Sequence, residues 1–254
     1  MNHYGLSMFL DGYNRRARLR PLLIGLLPVA LPLAAGLPAM PRSSWMWTLI
    51  VCSGLPLCAD QLGRSRGKRI EEALFRSWGG KPTVQLLRWR GPGDRTRLVY
   101  FHEAVQRIIG PSLRLPTEAE ELRDPQAADR VYDAAGLVLR SRARDLPGCG
   151  LVMEQNCEYG FRRNALGLRP YALATAVVGL LGTVAWLFVS DGFPGRPATA
   201  VVAALCVMQV GLVAFWSLLV RPRWVESAAW LYAERLLETS ALPDQNTPPA
   251  SPTG

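Results

Sequence analysis

Four apolar runs frame the chain and limit what it can fold into: Leu22–Met40, Trp45–Ala59, Tyr171–Val189 and Ala198–Val220. None of them carries Lys, Arg, Asp or Glu, and three are 19, 19 and 23 residues long. At about 1.5 Å per helical residue, 19 residues reach ~28 Å, close to the ~30 Å hydrocarbon core of a bilayer. The run Trp45–Ala59 is shorter, at 15 residues, and needs Ser43, Ser44 and a helix continuing past Asp60 to make up its length. Although 49% of residues are hydrophobic, mean hydropathy is only +0.09, so apolar and charged residues are segregated. The expected fold is mainly α, with four transmembrane helices as two hairpins flanking a mostly helical cytosolic domain.

Charge placement orients that arrangement. Arg15, Arg16, Arg18 and Arg20 precede the first run, and Arg64, Arg66, Lys68 and Arg69 follow the second. Arg162, Arg163 and Arg169 precede the third run, and Arg221 and Arg223 follow the fourth. The short connections hold Arg42 in one case and Asp191 with Arg196 in the other. The positive-inside rule then puts both termini and the central segment in the cytoplasm. Arg15, Arg16, Arg18, Arg20, Arg64, Arg66, Lys68, Arg69, Arg169, Arg221 and Arg223 become anchors on anionic headgroups. The net charge of +9 is explained by contact with anionic lipid headgroups, and nucleic-acid binding, the sharper reading of the same charge, is the less favoured one. Arg15–Arg20 with Leu22–Leu33 has the layout of a signal peptide. Five prolines from Pro21 to Pro41 weaken the case for an ordinary straight helix, while the agreement of every loop with four spans argues for retention. Pro28 and Pro32 read as kinks.

The expected organisation is a cytosolic basic segment at 1–20, a hairpin at 21–60, a cytosolic domain at 61–170 and a second hairpin at 171–220. A cytosolic amphipathic helix at 221–242 and a disordered tail at 243–254 complete the chain. Between Asp60 and Pro170 there are 20 Lys and Arg against 14 Asp and Glu. Ile70, Leu74 and Trp78 recur every fourth residue, predicting a helix over Gln61–Trp78 that Gly79-Gly80-Lys81-Pro82 stops. Thr83–Trp89 reads as a short strand before the turn Gly91-Pro92-Gly93-Asp94. Leu98, Phe101, Val105 and Ile108 mark one helix face. Thr117 with Glu120 forms a capping box, and Asp124-Pro125 starts a helix bearing Ala128, Val131, Ala135 and Val138 on one side. Gly150–Asn164 leads back to the membrane. Trp224–Ser240 has Val225, Ala228, Leu231, Tyr232 and Leu236 on one face.

The segments Trp78-Gly79-Gly80-Lys81-Pro82, Leu115-Pro116-Thr117 through Glu121 with Asp124-Pro125, and Tyr159-Gly160-Phe161-Arg162-Arg163-Asn164 with Gly167-Leu168-Arg169 resemble a group of uncharacterised bacterial multi-pass membrane proteins. The resemblance covers roughly residues 66 to 170. It implies an inner-membrane location and no activity. The helix–domain–helix plan is also similar to membrane effectors of bacterial nucleotide signalling, by architecture alone.

Few residues offer chemistry. His3 and His102 are the two histidines, and no CxxC occurs, so neither a metal nor a cofactor is expected. Gly63–Lys68 is no phosphate loop, since only three residues separate Gly63 from Gly67, Arg69 stands where Ser or Thr should be and no strand precedes it. His102-Glu103 with Cys149 or Cys157 has no spacing that supports nucleophilic catalysis, and no catalytic residue is assigned. Glu154, Asn156, Glu158, Tyr159, Arg162 and Arg163 form the densest polar cluster. Its spacing favours salt bridges between turns; a small anionic ligand held by Asn156, Arg162 and Arg163 is the alternative, because arginine forks match phosphate. Arg144, beside Arg140 and Arg142 at a helix end, is a further anion candidate. Within the membrane, Gln209 reads as helix glue, and Ala172, Ala176, Gly179 and Thr183 as a close-packing stripe. The expected function is an integral membrane protein, in one copy or as a homo-oligomer, whose cytosolic domain binds a ligand or protein partner and signals to its helices. A scaffold component of a membrane complex and an enzyme on lipid headgroups are the alternatives.

Overall fold

Apolar spacings of three and four dominate the chain outside its turns, and helices follow. The computed structural model describes residues 15–36, 65–91, 93–145, 149–189 and 198–242, and among these there is no strand. A π-helical turn, Arg15–Leu19, leads into α1, Arg20–Gly36. Then come α2 (65–77), α3 (Pro82–Gln85), α4 (Arg95–Ile109), α5 (Glu118–Arg123), α6 (Pro125–Asp145) and α7 (Gly150–Val189). After α8 (Thr199–Ala214), a second π-helical turn at Phe215–Leu219 precedes α9 (Pro222–Glu238). Residues Trp45–Ala59, Gln61–Arg64 and Pro243–Gly254 lie outside the described residues, so the second apolar run and the tail do too.

The strand expected at Thr83–Trp89 is one turn of helix and a tight turn instead. Pro82 at the first helical position has its φ set for a helix, and Val84 and Leu87, three apart, both enter the core. Two other expected faces are kept in the main. On α6, Ala128 and Ala135 are buried, joined by Tyr132 and Leu139, while Val138 is exposed; on α9, Val225, Ala228 and Leu236 are buried while Leu231 is exposed.

Contacts divide the chain into two compact units. The second, Phe75–Asn156 with Ala229–Gly254, has a core including Val84, Phe101, Val105, Tyr132, Leu139, Leu236 and Leu237. Burial of each such side chain contributes about 1.5–3 kcal/mol. Its helix ends are specified locally. Asp94 accepts from the Thr96 amide at 3.0 Å, Thr117 and Glu120 close the capping box, and Asp124 accepts from the Ala127 amide at 2.9 Å. Gly79 and Gly80 carry φ of 80° and 133°, which ends α2 where a side chain would be strained.

The first unit is Met1–Leu74 with Cys157–Ala228. Within it α1, α7 and α8 meet at one point. Gln209 on α8 donates through Nε2 to the Pro28 carbonyl of α1 at 2.6 Å. A Cβ on Gly179 would stand 2.3 Å from that same oxygen. Pro32 has no N–H to give the Pro28 carbonyl four residues back, so Gln209 replaces the missing helical bond. Ala172, Ala176, Gly179 and Thr183 are all buried. Among the described residues, two helices are long and apolar enough to cross a membrane, the stretch Gly150–Trp186 within α7 and Thr199–Leu219. Three helices, α2, α7 and α9, contribute residues to both units.

Candidate functional site

In the first unit, Tyr159 to Arg169 form a junction on α7. Tyr159 donates its hydroxyl to Glu71 Oε1 at 2.7 Å, and Arg163 Nη1 donates to the same oxygen at 2.9 Å. Arg162 turns another way: its Nε donates to Glu158 at 2.7 Å, and Nη1 to the Trp224 carbonyl at 3.0 Å and the Ser227 hydroxyl at 2.9 Å. Its guanidinium also lies 5.1 Å from the Trp224 ring centre. Asn164 Nδ2 donates to the Ala17 carbonyl at 2.8 Å. Arg169 donates to the Trp216 and Ser217 carbonyls at 3.0 and 3.2 Å. Glycines let α2 approach α7: a Cβ on Gly167 would stand 3.0 Å from the Gly67 nitrogen, and one on Gly67 would stand 2.6 Å from Asn164 Oδ1.

Arg162 and Arg163 therefore do not converge on one anion. Adjacent on a helix, they point about 100° apart, and each is occupied by an internal carboxylate, carbonyl or ring. Asn156 is half-buried and Arg144 is exposed; both belong to the second unit. Of the headgroup candidates, Arg16, Arg20, Arg66, Lys68, Arg69, Arg221 and Arg223 are exposed. Arg18 and Arg169 are instead half-buried, Arg169 on backbone carbonyls, and Arg64 and the Arg15 side chain lie outside what is described.

The second unit holds a network that sequence reading passed over. Glu121 is 1% exposed and accepts from the Tyr132 hydroxyl (2.7 Å), the Trp89 amide (2.9 Å), the Arg90 amide (3.1 Å) and Arg90 Nη1 (2.8 Å). Arg88 makes a two-pronged pair with Asp129, and Arg90 also reaches Asp129 at 2.8 Å. Lys81 pairs with Asp133 at 2.6 Å. His102 Nε2 donates to the Leu87 carbonyl at 2.7 Å, and its ring centre lies 4.5 Å from that of Trp89.

Burial opposes ionisation of Glu121, but the Tyr132 hydroxyl, the two amides and Arg90 outweigh it and hold its pKa below the ordinary range. Asp129 is likewise held down by Arg88 and Arg90 against burial. Burial pushes His102 down, so its ring is neutral near pH 7. Ionised, fully bonded carboxylates and a neutral histidine make a lock between Trp89-Arg90, α5 and α6. None of them is poised as an acid. Glu121 follows the capping box directly, and the signal that could have found it is this: an extra glutamate in a first turn whose helix-dipole role Glu118 and Glu120 already fill. Among the described residues, no group of three His, Cys, Asp or Glu could hold a metal ion.

Compared with protein-family models, curated proteins and solved structures, the chain matches none.

Proposed function

We propose that this chain is a four-span bacterial inner-membrane protein with both termini and its central segment in the cytoplasm. Its second unit binds a ligand or protein partner and passes the state to the membrane helices. The observation that carries this reading is the sharing of α2, α7 and α9 by both units. A helix is stiff along its axis, so a change at one end of α7 is felt at the other. The Tyr159–Arg169 junction would gather the shared helices, which fits its side chains being spent on internal bonds. The bond from Gln209 to Pro28 supports α1 as a further span, since it brings α1 to the middle of α8.

The test is hydrogen exchange on the full-length chain in lipid nanodiscs. Leu139→Ala, a cavity in the second unit's core, is expected to raise exchange in 157–170. A Gly-Gly insertion after Asn156 should abolish that effect. Unchanged exchange in 157–170 with Leu139→Ala would sink the transmission reading. A scaffold role is the second reading, favoured by Leu122, Leu137 and Leu151, which are 73%, 61% and 60% exposed in the second unit and would suit a protein partner.

A further inference from the structure

Most cations of the second unit that flank its core are neutralised by carboxylates: Lys81 by Asp133, Arg88 by Asp129, Arg90 by Glu121, Arg95 by Glu118, Arg97 by Glu234 and Arg114 by Glu120. The first unit is different. Arg16, Arg20, Arg66, Lys68, Arg69, Arg221 and Arg223 are exposed, and among the described residues none of the seven is paired with a carboxylate. Acidic neighbours exist in Glu72 and Glu226 but are not used. Glu71 is committed to Tyr159 and Arg163.

These seven come from three separate parts of the sequence, yet each part is fastened to the same short window of α7. Asn164 holds Ala17, and Gly167 packs on Gly67. Arg66 lies 4.8 Å from the Tyr171 ring centre. Arg162 and Arg169 hold the turns on either side of Arg221 and Arg223. Residues 162 to 171 span about 14 Å of helix axis, and the apolar run begins at Tyr171. Long basic side chains from such a window all reach one headgroup layer, roughly 5–8 Å thick.

We infer that these seven residues form a collar that binds anionic phospholipid headgroups, with the Tyr159–Arg169 junction as the frame that assembles it. The inference rests on the membrane-spanning reading above and deepens it by naming a ligand class and a site. Arginine forks suit the phosphate, and the missing internal counter-ions leave the lipid to supply the charge. Exposed cations of the second unit, such as Arg107, Arg123 and Arg130, sit on separate turns of α4, α5 and α6 and form no comparable ring.

The test is native mass spectrometry of the full-length chain released from detergent containing equimolar phosphatidylglycerol and phosphatidylcholine. The wild type should retain the anionic lipid about fivefold or more over the neutral one, as one cation near an anionic surface already provides. That preference should fade as salt rises to 1 M, where screening shortens to about 3 Å. Arg66→Gln with Lys68→Gln and Arg69→Gln, or Arg221→Gln with Arg223→Gln, should lower it, while Arg107→Gln with Arg123→Gln should leave it. Equal retention of both lipids by the wild type, or an equal loss in the Arg107 and Arg123 control, overturns the collar. Competition by inorganic phosphate as effective as by lipid also overturns it. Recovery of the wild type in detergent-free aqueous extract would instead remove the membrane reading itself.

Discussion

At the scale of single residues, the second unit depends on protonation states that acid changes, a neutral His102 and an ionised Glu121. His102 has its folded pKa lowered by burial from an ordinary 6.5. The unfolded chain therefore takes up that proton first, and stability erodes as pH falls from about 6.5. Glu121 is lowered from an ordinary 4.5. Its contribution is complete above that value and is lost as pH falls through the lower folded pKa. Urea titrations followed by helical circular dichroism are expected to show two successive losses, and His102→Gln should delete the one nearer neutrality. Glu121→Gln should destabilise the unit by about 2–3 kcal/mol at pH 7, because four donors lose an anionic acceptor. A loss below about 0.5 kcal/mol would contradict the network's structural role.

At the scale of elements, the Pro28–Gln209 contact makes a prediction of its own. On the proposed membrane reading, Gln209→Leu should cost about 0.6 kcal/mol, the average for hydrogen bonds between membrane helices, and no more than about 1.7 kcal/mol. Pro32→Ala restores an N–H facing the Pro28 carbonyl, so in that background Gln209→Leu should cost close to nothing. A thermal-melting double-mutant cycle in detergent reads the difference, and additive costs would refute the replacement. Gly179→Ala should destabilise more than either, since its Cβ meets a backbone oxygen at 2.3 Å. Much at this scale was legible beforehand. Thr117 with Glu120, Asp124 before Pro125 and the Gly79-Gly80 stop act through neighbours in sequence, and all are present. The Thr83–Trp89 turn was misread because a four-residue helix is too short for periodicity to tell from a strand. Glu121 and the splitting of Arg162 from Arg163 were illegible for another reason. The partners that decide them, Trp89 and Arg90 for Glu121, Trp224 and Ser227 for Arg162 and Glu71 for Arg163, lie 31 or more residues away, and spacing along one helix says nothing about them.

At the scale of the molecule, orientation is testable with a cysteine-free chain carrying Glu103→Cys, an exposed position on α4. A membrane-impermeant maleimide should leave it unlabelled in intact spheroplasts and label it after lysis; labelling before lysis would invert the topology. The bond from Gln209 to Pro28 joins residues 181 apart. At about 5–20 residues per second, translation leaves roughly 10–35 s between the two. On the four-span reading proposed above, the first segment would sit in the bilayer for that interval with its Pro28 carbonyl still without Gln209. Assembly order then becomes a vulnerability: nascent chains stalled before α8 should be cleared faster than full-length ones, and Pro32→Ala, which mends the first helix from within, should lengthen their survival in a pulse-chase.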